Sequence, residues 1–300
     1  MKLATRGPFN LAATVRVLQR RPANRVDVWD GSAYRRVFDL PGGLVLAEVR
    51  NRGRTDAPVL ECTLRAASGT VDAAARREVT RRLRRILGLD IDPAPLAERA
   101  EGEPTMSATA RSLRGLRPPR FADLFETFAS VVPFQQVSLD AGIAVSGRLV
   151  DRFGAAFGDA AGQRAFPRAE VIAAASPAAL RACGLSTQKA RTLRELARLI
   201  DRGELRAADL DALATPAAFE HLVGLRGVGP WTAGLVLLRG LGRLDMFPPG
   251  DVGAQRNLHL LLGTRDARKL DATISRFGEL RGYLYFCGLG ARLLAQGAID

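Results

Sequence analysis

The most chemically informative stretch of the chain is Leu222-Val223-Gly224-Leu225-Arg226-Gly227-Val228-Gly229-Pro230-Trp231-Thr232-Ala233. Its pattern ends one helix near Leu225 and opens another at Pro230, where proline's missing N–H has no partner to lose. Gly227 and Gly229 let the chain reverse sharply and let another molecule approach the backbone. The unpaired N–H groups of the new helix then face outward and suit an anion such as phosphate. A glycine turn joining two packed helices is the plainer reading, and Gly-x-Gly alone would not separate the two. The full string, helical on both sides and set in a strongly basic chain, favours phosphate and is a helix–hairpin–helix signature.

Twenty residues beyond Trp231 stands Asp251, after Phe247-Pro248-Pro249-Gly250 and before a helix expected over Val252 to Leu262. Helix mechanics alone would make this aspartate an N-cap.

Charge supports an anionic partner. Across 300 residues, 44 basic against 31 acidic side chains leave a net charge of +13, and the basic residues are arginines except Lys2, Lys189 and Lys269. A GC-rich genome would explain arginine over lysine but not the excess itself, which points to nucleic acid. A hydrophobic share of 47% rules out wholesale disorder. Cys62, Cys183 and Cys287 are too few and too far apart for a disulfide framework, a zinc ribbon or a four-cysteine cluster; each reads as a small buried residue in a reducing compartment. The first residues, Met1 to Val17, have no unbroken apolar core of the secretory kind, and no apolar run approaches the ~18 residues of a bilayer span. A soluble cytoplasmic protein is expected, with no membrane partner.

The elements that must position these residues fall into an α+β part and an all-α part. Residues 25–66 read as an antiparallel meander: Val26 and Val28, a turn at Asp30-Gly31, Tyr34 to Phe38, a break at Pro41-Gly42-Gly43, then Leu44 to Leu46 and Val59 to Cys62. Thr70 is the expected cap of a helix whose inner face carries Val79, Leu83, Ile86 and Leu87. Arg76, Arg77, Arg81, Arg82, Arg84 and Arg85 cover the rest of that helix, as a solvated face or one that grazes phosphate. Three regions are therefore expected: an N-terminal sheet domain over 1–92, a Pro- and Gly-rich connector over 93–119, and a helical region over 120–300. Phe121, Leu124, Phe125, Phe128 and Val131 form one helical stripe, and Ala141 to Val150 and Ala190 to Ile200 form further helices.

Hairpin, proline/glycine loop and aspartate together resemble the helix–hairpin–helix DNA glycosylases, of the DNA-3-methyladenine glycosylase II type. Phe125-Glu126, Gln135-Gln136-Val137-Ser138, Gly184-Leu185-Ser186 with Lys189-Ala190, and Arg281-Gly282-Tyr283 add to the likeness, which covers about 120–290 well and 8–90 loosely. Val252 stands where the family has an aromatic residue, and the final helix offers Tyr283, Tyr285 and Phe286 but no tryptophan.

The resemblance implies an enzyme that extrudes an alkylated purine of the 3-methyladenine or 7-methylguanine class from duplex DNA. It would act as a monomer and hydrolyse the glycosidic bond to leave an abasic site. Asp251 would stabilise the positive sugar of the transition state and orient water. Trp231, Tyr283 and Phe286 would line the base pocket, an aromatic face suiting a cationic base; Trp231 could equally be core packing. Gln136 would fill the gap in the stack, or merely cap a helical turn. Gly227, Gly229, Thr232 and Arg281 would contact DNA. In the bifunctional relatives a catalytic lysine lies two residues after the second hairpin glycine; that position is Trp231 here, so hydrolysis without strand nicking is expected. No cofactor is implied beyond a monovalent cation on the carbonyls of Val223, Arg226 and Val228. A glycosylase for oxidised or deaminated bases, or a non-catalytic DNA-binding module, would share the hairpin; the module would not need Asp251.

Overall fold

The computed structural model describes residues 1–103, 106–158 and 163–299. It opens with a five-stranded antiparallel sheet of order β1-β5-β4-β3-β2, made of β1 (Lys2–Leu3), β2 (Val28–Trp29), β3 (Ala33–Leu40), β4 (Gly43–Asn51) and β5 (Leu60–Ala66). The register pairs Tyr34 with Val49 and Val49 with Cys62, so one row of apolar side chains crosses three strands. Two helices cover that face: α1 (Leu11–Gln19), capped by Asn10, and α2 (Ala73–Ile86). The cap of α2 is Asp72, whose carboxylate accepts from Ala75 N at 2.7 Å, and not Thr70. The inner face of α2 is the expected one, with Val79, Leu83 and Ile86 buried.

Helix α1 has two allegiances. Val15 and Leu18 pack on the sheet, while Ala13 and Val17 pack among the helices of the C-terminal half. The stretch after α2, expected as a connector, carries α3 (Ala94–Glu101) and α4 (Ser107–Ser112). Leu96, Ala100 and Met106 drive this departure, since they are buried against the last helices of the chain and gain from packing what short local periodicity cannot supply.

The helical body then runs in order through α5 (Leu124–Ala129), α6 (Leu139–Phe153), α7 (Ala169–Ala174), α8 (Pro177–Ala182), α9 (Thr187–Asp201), α10 (Ala207–Asp211), α11 (Thr215–Val223), α12 (Pro230–Leu235), α13 (Val252–Leu262), α14 (Ala267–Phe277) and α15 (Tyr283–Ala295). The stripe from Phe121 to Val131 is realised only in part as helix, because Asp123 caps α5 and Val131 lies beyond its end. A buried ion network ties the halves together: Arg36 of β3 donates to Asp27 at 2.8 Å and to Glu126 of α5, and Tyr34 donates to Asp27 at 2.7 Å. Among the described residues, no helix is long and apolar enough to cross a membrane. All three cysteines are buried and unpaired.

Candidate active site

Two glycines hold the hairpin and the loop beyond it in place. Gly227 has φ +79°, and a Cβ there would stand 2.0 Å from Thr192 Oγ1 of α9; the turn needs glycine for both conformation and space. Gly234 lets the proline loop lie against α12, because a Cβ would meet Pro249 Cδ at 2.7 Å. That contact carries Asp251 back to the start of α12. Gly229 differs from both, with an ordinary φ of −90° and only open space where a Cβ would be.

Asp251 uses both oxygens. Oδ1 accepts from Ala254 N at 2.7 Å, capping α13, and Oδ2 accepts from the indole N–H of Trp231 at 3.0 Å. The cap and the site residue are therefore one group, and the two bonds fix the carboxylate's rotation. It lines a cleft of about 1150 Å³ together with the hairpin, Trp231 and Gln136. Val252 beside it is 56% exposed.

The residues expected in the site divide into three groups. Asp251, Trp231, Gln136, Gly227 and Gly229 converge on the cleft, as does the hairpin backbone of Val223, Arg226 and Val228. Gln136 is exposed with φ +54°, a left-handed conformation that turns the chain between Pro133 and α6. Thr232 also lines the cleft, but it is 2% exposed and its hydroxyl accepts from Gln135 Nε2 at 3.0 Å, which ties it into the hairpin's frame. Tyr283, Phe286 and Arg281 lie elsewhere. Tyr283 is buried with its hydroxyl directed at Leu116 O, 3.4 Å away, and Phe286 is fully buried in the core. Arg281 is exposed and donates to Gly278 O at 2.8 Å. The aromatic of α15 that reaches the cleft is Tyr285. At about 100° per residue it points roughly 160° away from Tyr283, so two neighbouring aromatics cannot both serve.

Four further residues border the cleft: Gln135 and Lys189 stand in stretches that carry the family resemblance, and Arg20 and Arg239 carry no sequence signal. Gln135 pins the hairpin by donating to Gly227 O at 3.1 Å as well as to Thr232. Lys189 lines the cleft with its Nζ donating to Pro133 O at 3.1 Å, and burial lowers its pKa. Arg20 and Arg239 also line the cleft. Burial pulls the Arg239 pKa down, Tyr285 opposes that shift and Arg20 adds to it.

A five-stranded sheet packed on a helical body, with a glycine hairpin and a tethered carboxylate facing one cleft, defines a protein of the helix–hairpin–helix class. Family models agree: residues 1–123 match the AlkA N-terminal domain, and residues 129–279 match the HhH-GPD superfamily base excision DNA repair protein. The chain belongs to the HhH-GPD superfamily of base excision DNA repair proteins. It is 31% identical over 94% of its length to the probable bifunctional transcriptional activator/DNA repair enzyme AlkA of Mycobacterium tuberculosis. It is 33% identical over 65% of its length to the DNA-3-methyladenine glycosylase of Bacillus subtilis. The chain spans 55% of the first of these relatives and 64% of the second. Among solved structures it matches the 3-methyladenine DNA-glycosylase of Archaeoglobus fulgidus with a TM-score of 0.80 and 25% identity, covering 98% of this chain and 99% of that one.

Proposed function

We propose that the protein is a monofunctional DNA glycosylase that removes alkylated purines from double-stranded DNA by hydrolysis. The observation that carries this reading is the Asp251 carboxylate, fixed by Trp231 and by the start of α13 in the cleft that the Gly227–Gly229 turn borders. The turn and the start of α12 grip the DNA backbone without reading sequence, and Gln136 enters the stack where the base has left. Asp251 stabilises the positive charge that develops on the sugar as the base departs, and orients the attacking water. Trp231 serves twice, holding the carboxylate through its N–H and offering its face to an electron-poor base.

The residue at the hairpin position supports hydrolysis without strand nicking: an indole cannot form the Schiff base that a lysine would. Lys189, the lysine lining the cleft, is engaged with a backbone carbonyl. Among the described residues, the carbonyls of Val223, Arg226 and Val228 accept no backbone hydrogen bond between elements, which suits them to hold a monovalent cation that would stiffen the turn. The reading includes a monomer acting in the cytoplasm with no organic cofactor.

The test is release of bases from duplexes carrying one methylated, one oxidised or one deaminated base, with abasic sites read by alkali. Wild type should open the methylated duplex. Asp251→Asn, which keeps the helix cap, should lose on the order of 1000-fold in rate while binding DNA as before. Equal release by the two proteins, or none by wild type, would overturn the proposal. Binding to undamaged duplex should also weaken steeply with salt.

A further inference from the structure

Phe125-Glu126 stands in the stretch that resembles the helix–hairpin–helix glycosylases, yet nothing in base release by Asp251 calls on the Glu126 carboxyl. Glu126 is buried on α5, where the sheet domain meets the helical body. Arg36 of β3 serves two carboxyls at once, giving Nη1 to Asp27 and Nη2 to Glu126. The two are not equally provided for. Asp27 also accepts from the Tyr34 hydroxyl at 2.7 Å, whereas among the described residues Glu126 Oε2 accepts from Arg36 alone and Oε1 accepts no bond. One guanidinium between two buried carboxyls leaves a net negative charge away from water, and the less bonded carboxyl is the one to take up a proton. The charges around it do not restore the balance. Asp123, the cap of α5, adds a like charge, and Arg82 of α2 is divided between Asp123 at 3.8 Å and Glu78. Arg85 of α2 is held by the carbonyls of Phe121 and Gly240. On the cleft side, a cavity of about 80 Å³ is lined by Glu126 and Asp27 together with Arg20, Arg25 and Arg239; Arg25 pairs with Asp151 at 3.4 Å, and neither Arg20 nor Arg239 bonds Glu126. On the other side, a cavity of about 380 Å³ adds Asp39, Glu170, Arg168 and Arg206, but Arg168 pairs with both of those acids and Arg206 with Asp209. Burial above all, with Asp123 and Asp27 adding to it and Arg36 opposing, pushes the Glu126 carboxyl up to about 7.

We propose that Glu126 is a proton-binding switch at the seam between the two halves: protonated, it keeps the sheet domain firmly seated on the helical body, and ionised, it loosens that seat. The protonated form still accepts from Arg36 through its carbonyl oxygen, so the proton removes the excess charge without removing the bond. The loop of residues 20–27, between α1 and β2, is the part freed first. It carries Asp27, and it is strapped to α6 by two pairs that water reaches, Arg21 to Asp140 at 3.1 Å and Arg25 to Asp151. Such pairs hold weakly by themselves. A carboxyl whose folded pKa is raised contributes most stability below its unfolded pKa and loses it as pH rises through the folded one, here from 4.5 to about 7. The inference is independent of the glycosylase reading.

The experiment compares wild type with Glu126→Gln, which keeps the shape and the acceptor oxygen but cannot ionise. The difference in melting temperature between them should move by about 5 °C in favour of the variant from about pH 5 to about pH 8. A difference that stays constant, or that moves in favour of wild type as a permanent ion pair would make it, overturns the proposal. The seam itself is read by trypsin at about pH 8, which should cut after Arg20 or Arg25 about tenfold faster in wild type than in Glu126→Gln. Equal cutting overturns the link between the proton and the seat of the sheet domain. A third measurement needs no variant: the infrared band of a protonated carboxyl should persist in wild type at about pH 6.5, where ordinary carboxyls have ionised, and vanish by about pH 8.5. Its absence at the lower pH overturns the switch.

Discussion

Two arginines, buried to the same degree, sit in opposite circumstances. Arg117 is fully buried at the seam between the sheet and the helical body; its guanidinium donates to the carbonyls of Arg6, Pro8, Gly88 and Ile91, and its backbone N–H bonds Thr14 Oγ1. Arg239, 2% exposed at the cleft, leaves two nitrogens unpaired. A guanidinium surrounded by carbonyls stitches chain segments together; one that meets chiefly Phe121 and Tyr285 holds fewer segments in place. Burial alone therefore does not tell how much an arginine holds the fold together, and the count of bonds it makes does.

The largest expected effect tests that contrast directly. Arg117→Met would strand four carbonyls that now accept from it, so thermal unfolding should show a loss of about 3–5 kcal/mol, and at roughly 2 °C per kcal/mol a melting point lowered by about 6–10 °C. Arg239→Met strands no carbonyl and keeps an apolar contact to Phe121, so its melting point should stay within about 2 °C of wild type. Equal losses in the two variants would erase the distinction.

The next effect lies in the cleft. Trp231→Phe keeps a ring against the base but removes the N–H that holds Asp251 Oδ2. A hydrogen bond to a charged group is worth about 1.5–3 kcal/mol, so base release should slow about 10- to 100-fold, with little change in melting temperature. An unchanged rate would mean that the α13 cap alone orients the carboxylate.

Smaller still is the effect expected at Gly229. Its side-chain space is empty and its φ ordinary, so Gly229→Ala should fold as wild type does. If DNA backbone comes close to this point, the added methyl should weaken duplex binding by up to about tenfold, measured by fluorescence anisotropy. Gly227→Ala, by contrast, meets Thr192 and a left-handed backbone, and its loss should appear as lowered stability. Weaker binding in both variants without any loss of stability in Gly227→Ala would remove the difference between the two glycines.

The sequence made much of this legible and missed the rest for physical reasons. Gly227, Pro230 and Asp251 mark their positions by local chain mechanics, and the helix from Val252 to Leu262 falls where its spacing puts it. Tyr285 was not separable from Tyr283 and Phe286 by type, because all three can be buried; only the docking of α15 decides which side reaches the cleft. Gln135 is chosen over Gln136 for the hairpin by tertiary approach to Gly227, about which nothing local speaks. Helices α3 and α4 lacked strong periodicity because the surface they pack on comes more than a hundred residues later. Arg239 carries no local signal, since its place against Phe121 at the cleft is set by tertiary packing.

The smallest expected effect is on the arginine-covered face of α2. Glu78 accepts from Arg81 at 2.7 and 2.9 Å and from Arg82 at 2.7 Å, three charged bonds against the five that the Arg117 guanidinium makes. The Arg81 bonds chiefly, against a burial that pushes the other way, lower its pKa from 4.5 to about 2. A carboxyl whose folded pKa is depressed contributes stability above its unfolded pKa and loses it as pH falls through the folded one. Here that window runs from pH 4.5 down to about 2. Because the Glu78 side chain is only half-buried, at 32% exposure, and Arg81 is 63% exposed, water competes for these bonds and salt screens the charges, so the whole cluster is worth about 1 kcal/mol or less. Glu78→Gln should therefore lower the melting temperature by no more than about 2 °C at pH 7, and the gap should narrow on the way from pH 4.5 to pH 3 and shrink in high salt. A gap that ignored both would show the carboxylate's charge to be irrelevant, leaving shape as its contribution; a gap as large as that of Arg117→Met would break the rule that the same bonds count for more when water is kept out.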